Sequence, residues 1–141
     1  TQEKLLRAVL ISDLITIHQK TGIGRLSAFC GATSAGIGAA CGIAWLDGGD
    51  YEVIAHTIVN GLAILSGMVC DGAKPSCAAK IATAVRNGLL GYQMYRQGCQ
   101  FYGGDGIVTK GVENTIANVG RLANRGMRST DCEILNIMIG N

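Results

Sequence analysis

From Leu26 to Leu46 the chain carries no charged residue, and Gly, Ala, Ser and Cys dominate the run. A segment that is apolar on every side ends up in a bilayer or in the middle of a helical bundle. Three features favour the bundle. Small residues recur at Ala28, Ala32, Gly36 and Ala40 and would let neighbouring backbones approach closely. No aromatic belt flanks the run, and the next apolar segment holds His56 and Asn60 in its middle. The sequence therefore predicts a buried central helix from about Ser27 to Leu46 and no membrane span.

The rest of the chain is helical by its periodicity. Leu6, Val9, Leu10, Leu14 and Ile17 have the 3–4 spacing of an amphipathic first helix that runs out near Gly22 and Gly24. Ser27 is a candidate N-cap for the central helix, which stops at Gly48-Gly49. Asp50 would cap a third helix with Ile54, Ile58, Leu62 and Leu65 on one face. Pro75 suits the first turn of a fourth helix, with Ile81, Val85, Leu89 and Tyr92 as its apolar face. After the loop YGGDGIVTKG, a fifth helix carries Val112, Ile116, Val119 and Ala123, with Arg121, Arg125 and Arg128 on its solvated side. Thr130 and Glu133 form a capping box for a short last helix. No segment alternates as a strand. The fold class is all-α: one domain, residues 1–141, of five or six helices around a Gly/Ala-rich centre.

Hydrophobic residues make up 48% of the chain and charged residues 16%, with a net charge of +2. That balance excludes a disordered chain and gives no basis for a nucleic-acid partner. The opening TQEKLLRAVL is charged and lacks a basic stretch followed by an apolar one, so no secretory leader is visible. A reducing cytoplasm is the expected compartment, where clustered cysteines point to metal or redox chemistry more than to structural bridges.

The stretch MVCDGAKPSC, Met68 to Cys77, sets two cysteines, an acid, a base and the only proline on a polar loop between buried segments. Cys70 and Cys77 bracket that loop and can both turn inward. Cys77 falls in the first turn of the fourth helix, where free N–H groups favour a thiolate. Cys30 and Cys41 share the central helix but lie about 16 Å apart along it, so one metal centre cannot hold both. The natural set is Cys70, Cys77 and one cysteine of the central helix, Cys30 by preference. Its spacing is not that of zinc modules or of bacterial ferredoxins. Three thiolates would suit an iron–sulfur cluster with one open iron; the competing reading is that the cysteines, Cys99 and Cys132 above all, fill the core.

IGRLSAFCGATSAGIGAACGIAWLDGG, GMVCDGAKPSCAAKIATAV and FYGGDGIVTKGVENTIANVGRLANRGM together resemble the C-terminal part of proteins related to the iron–sulfur-dependent L-serine dehydratase alpha chain, a group that includes L-cysteine desulfidases. The resemblance spans nearly the whole chain, and MVCDGAKPSC is its most specific part. It implies an all-helical, cluster-bearing domain with an oxygen-sensitive [4Fe–4S] cluster. The implied activity is a lyase reaction, β-elimination from L-serine or L-cysteine to pyruvate and ammonia. Cluster ligands carry over to Cys30 and Cys70, and Cys77 matches a third ligand in serine dehydratase-like members. In desulfidase-like members a further cysteine lies upstream, with no counterpart here.

The resemblance also implies that an N-terminal region, which helps to build the active site, lies outside this chain, making it a fragment that is inactive alone. The expected partners are a small amino-acid substrate, that region and further copies in a homo-oligomer. Asp71 and Lys74 are the candidates for the cluster's surroundings. His18 and His56 read as flank or core residues rather than as the base, and Gly103-Gly104-Asp105-Gly106 reads as a helix connection. The alternative function is a helical interaction module with core cysteines and no cofactor.

Overall fold

The computed structural model describes residues 1–140. Its axis is the uncharged run, folded as helix α2 (Gly31–Leu46), with α1 (Gln2–Ile23), α3 (Tyr51–Ile64) and α4 (Cys77–Arg96) laid against it. α5 (Val112–Arg121) continues through a π-helical turn, Leu122–Gly126, into α6 (Arg128–Ile139). Among the described residues there is no strand, so the chain is all-α; the only ladder-like pairing is an isolated antiparallel bridge between Phe29 and Val69.

Small residues set how closely the helices pack. A Cβ on Gly38 would lie 2.3 Å from Thr16 Oγ1 and 2.5 Å from the Ser12 carbonyl oxygen, and one on Gly42 would lie 2.6 Å from the Ala8 oxygen. α1 and α2 are therefore antiparallel and almost touch backbone to backbone. On another side of α2, a Cβ on Gly36 would meet the Ala84 carbonyl and one on Gly88 would meet the Gly36 oxygen, so α4 runs parallel to α2. α3 returns antiparallel to α4. Asn60 Nδ2 donates to the Gly91 oxygen at 3.0 Å, and Asn87 Nδ2 to the Gly61 oxygen at 2.9 Å. The core gathers Ile23, Phe29, Ile37, Cys41, Ile58 and Leu62 with Ile116, Val119 and Ala123 from the C-terminal helices.

Asp50 caps α3 as expected, accepting from Val53 N. The ends of α1 and α2 also fall where expected, before Gly24 and before Gly48-Gly49, but three helix starts differ from the sequence expectation. α2 begins at Gly31 with Cys30 as its N-cap. Ser27 instead ties the preceding loop, accepting from Phe29 N and donating to the Ala123 oxygen at 2.8 Å. Pro75 precedes α4 by two residues, and Cys77 is its first residue. α6 starts at Arg128 without a side-chain cap, so Thr130 and Glu133 lie inside it rather than at its start.

One apolar face read from periodicity is not the buried one, and a second is buried only in part. On α1, Leu6, Val9, Leu10, Leu14 and Ile17 are 48–63% exposed, whereas Ala8 and Gln19 are buried. On α4 the expected face is partly buried: Ile81 is exposed and Val85 and Leu89 are half-buried, whereas Tyr92 is buried, as are Ala84, Asn87, Gly88 and Gly91. In both cases the short distance to the partner helix admits only small side chains. Cys99 and Cys132, read as core filler, are exposed. No described helix is long and apolar enough to cross a membrane.

Candidate functional site

Because α2 and α4 run parallel, their N-termini lie at the same end of the bundle, and a cysteine stands at each: Cys30 caps α2 and Cys77 opens α4. The backbone brings the Cys70 segment alongside that of Cys30. Cys30 N donates to the Met68 oxygen at 2.9 Å and Cys70 N to the Ala28 oxygen at 2.6 Å, so the segments before α2 and after α3 are stitched together at their cysteines. Cys30 is buried; Cys70 and Cys77 are half-buried. The loop between them turns at Gly72, whose φ of 91° belongs to the left-handed region that glycine adopts at no cost, and Cys77 Sγ donates to the Gly72 oxygen at 3.5 Å. All six thiols are free, and among the described residues no three His, Cys, Asp or Glu side chains stand together as a ready metal set.

Cys41 is excluded from this group by its position. It is fully buried in the middle of α2 against α3, its Sγ reaching the Ile54 oxygen, and burial pushes its thiol from 9.0 up to about 12. It behaves as a small apolar side chain.

Charges gather on the loop. Lys74 and Lys80 both hydrogen-bond Asp71, and these bonds hold the Asp71 carboxyl at about 2. Lys80, on the second turn of α4, also donates to the Val69 oxygen at 2.7 Å. One ammonium thus clamps the residues on either side of Cys70 to α4. The Asp71 hydrogen bond raises the Lys80 pKa, and Cys30 and Cys77 are near enough to add to the effect. Lys80 therefore stands within electrostatic reach of two of the three thiols. Sequence reasoning named Asp71 and Lys74 but missed Lys80. The available sign was its position three residues after Cys77, which places it on the same side of the helix.

Neither histidine hydrogen-bonds the cysteine loop. His18 pairs with Glu113 at 2.7 Å on the surface, tying α1 to α5. His56 stacks on Tyr95, with ring centroids 4.5 Å apart, and lines a cleft of about 350 Å³ with Tyr51, Glu52, Tyr102 and Lys110. That cleft lies by the N-terminal half of α3, far from Cys70. Gly103 lines it too, and the loop that follows turns on Gly104 and Gly106, both at positive φ.

A family model described as serine dehydratase alpha chain matches residues 1–136. A UPF0597 protein of Desulfitobacterium hafniense is 67% identical over 98% of this chain, one of Treponema denticola 50% identical over 99%, and one of Bacteroides thetaiotaomicron 42% identical over 98%. The chain spans about a third of the length of these relatives, 32% in each case. No solved structure matches.

Proposed function

The chain belongs to the serine dehydratase alpha chain family, and on that premise we propose that it is the cluster-bearing part of a cytoplasmic [4Fe–4S]-dependent lyase. The reaction is β-elimination from L-serine or L-cysteine, yielding pyruvate and ammonia with water or sulfide. Cys30, Cys70 and Cys77 hold the cluster. The observation that carries this reading is the stitching of the Cys30 and Cys70 segments beside the first residue of α4, at the shared N-terminal end of two parallel helices.

The donor set fits such a group in kind. Three thiolates are its usual ligand chemistry, and their negative charge would face two helix N-termini and Lys80. When bound, the cluster supplies an open iron as Lewis acid for the leaving group. Lys80 and Asp71 fix the loop that carries Cys70, and Lys74 shields Asp71 from the other side. The remaining part of the longer polypeptide supplies the rest of the substrate site, including the base that takes the α-proton.

The interaction-module alternative treats the cysteines as core filler. Only Cys30 and Cys41 are buried, and Cys70 and Cys77 sit half-buried on a charged loop, which weighs against it. The test is a matched pair in the full-length Desulfitobacterium relative: Cys→Ala at the position of Cys70 and at that of Cys132. The first should lose iron and pyruvate formation from serine or cysteine together; the second should keep both. Equal behaviour of the two would return the reading to the interaction module.

A further inference from the structure

α1 turns its two faces the opposite way from a helix at the edge of a finished protein. Ala8, Ser12, Thr16 and Gln19 lie toward α2, where the glycines of that helix leave no room for larger groups. Leu5, Leu6, Val9, Leu10, Leu14 and Ile17 point outward, each 48–63% exposed. Isolated exposed leucines are ordinary, but six along one helix form a contiguous patch of the kind that is covered in a working molecule.

The stripe leads to the cysteine end. Beyond Ile17 it enters a shallow cleft of about 540 Å³ lined by Thr16, Ile17, Lys20, Thr21, Gly24 and Arg25. Lys20 reaches over the start of α2: a Cβ on Gly31 would lie 3.8 Å from Lys20 Nζ, and Gly31 follows Cys30. Whatever covers α1 and continues along its axis therefore arrives beside Cys30.

We propose that the outer face of α1, from Leu5 to Ile17, is the seat of the part of the same polypeptide that lies outside these residues, and that this contact brings that part to the Cys30 end of the bundle. The length of the relatives argues for this occupant: the matched region is 32% of their chains, leaving about two-thirds of each polypeptide to be packed against it. The inference rests on the reading that the two parts form one site.

The test uses the full-length Desulfitobacterium relative, which is 67% identical over this region. A photo-reactive benzoylphenylalanine is placed at the position of Leu10, and in a second preparation at that of Leu14. A control preparation carries it at the position of Arg86, exposed on α4. Circular dichroism confirms that each labelled chain keeps its helix content, and the cross-linked peptides are identified after irradiation. The expected product joins α1 to a peptide outside the matched third of the same chain, and the Arg86 probe does not give it. Cross-links from α1 to a second copy, or none beyond the Arg86 background at either position, overturn the proposal. Iron content of the same preparations reads the cluster separately. Iron lost with the cross-link kept would sink the lyase reading and leave the docking intact; the reverse pattern would do the opposite.

Discussion

Replacing Gly36 with Ala adds one methyl group at one of the closest helix contacts in the bundle. The new Cβ would lie 2.3 Å from the Ala84 carbonyl carbon, 2.4 Å from its oxygen and 2.7 Å from its Cβ. Carbon–carbon contacts relax at about 3.5–4.0 Å, so α2 and α4 must part by roughly 1 Å. The obstacle is backbone, and no rotamer change relieves it. Overpacking of this kind costs about 1–3 kcal/mol, and the better helix propensity of Ala returns about 1 kcal/mol. The net loss should be up to about 2 kcal/mol. For a chain of this size that lowers Tm by up to roughly 6 °C.

The internal control is Gly22→Ala. Gly22 also lies in a helix, but its added Cβ would meet only Gly120 Cα at 3.5 Å, an ordinary contact. That variant should melt at or slightly above the parent temperature. Thermal unfolding followed by circular dichroism compares the two. If Gly36→Ala gains stability as Gly22→Ala does, α4 does not lie on the Gly36 face and the parallel arrangement that sets Cys30 and Cys77 at the same end of the bundle is wrong.

Further outcomes follow from single groups. Asn60→Ala removes the donor to the Gly91 oxygen and the acceptor for Phe101 N, both at a buried position. Leaving those partners unpaired should cost about 1–3 kcal/mol or more, read as a lower urea midpoint. Native chain treated with a maleimide at pH 8 should label Cys99 and Cys132 first and Cys41 only on unfolding, since Cys41 is buried with its thiol raised to about 12. The same burial makes the unfolded chain release the Cys41 proton first, so its contribution to stability is complete below about 9 and is lost as the pH rises toward 12. Lys80→Met frees Val69 and Asp71 from α4. It should weaken iron retention by about 10–100-fold, the usual effect of losing a group that orients a ligand, with Lys80→Arg restoring part of it.

The sequence revealed the elements better than the surfaces between them. An uncharged run rich in small residues and without an aromatic belt favours a central helix, so α2 was legible, as was the Asp50 cap, whose partner is three residues away. Cys77 at the head of α4 followed from Pro75 just before it. Periodicity reports which residues share a face and not what covers that face. α1 shows the difference: its strongest apolar stripe is outward, because glycines on α2 select the small face for the internal contact. The same selection turned Ile81 outward on α4. The cysteine end was legible in its members but not in its wiring. The Cys30–Met68 and Ala28–Cys70 hydrogen bonds are backbone pairings between segments about forty residues apart, and bonds of that kind leave no side-chain signature. Lys80 was missed because its partners, Val69 and Asp71, come close only once the loop folds back onto α4.

The measurement that bears most directly on the account is iron and acid-labile sulfide per chain after anaerobic reconstitution. It is made on this chain and on the full-length Desulfitobacterium relative, for the parent and for Cys30→Ala, Cys70→Ala, Cys77→Ala and Cys132→Ala at matching positions. The account predicts iron and sulfide in the parent and in Cys132→Ala, with a broad absorption near 400 nm that fades in air, and loss of all three properties in each of the other variants. Equal iron in Cys70→Ala and Cys132→Ala, or none in any parent chain, would contradict it.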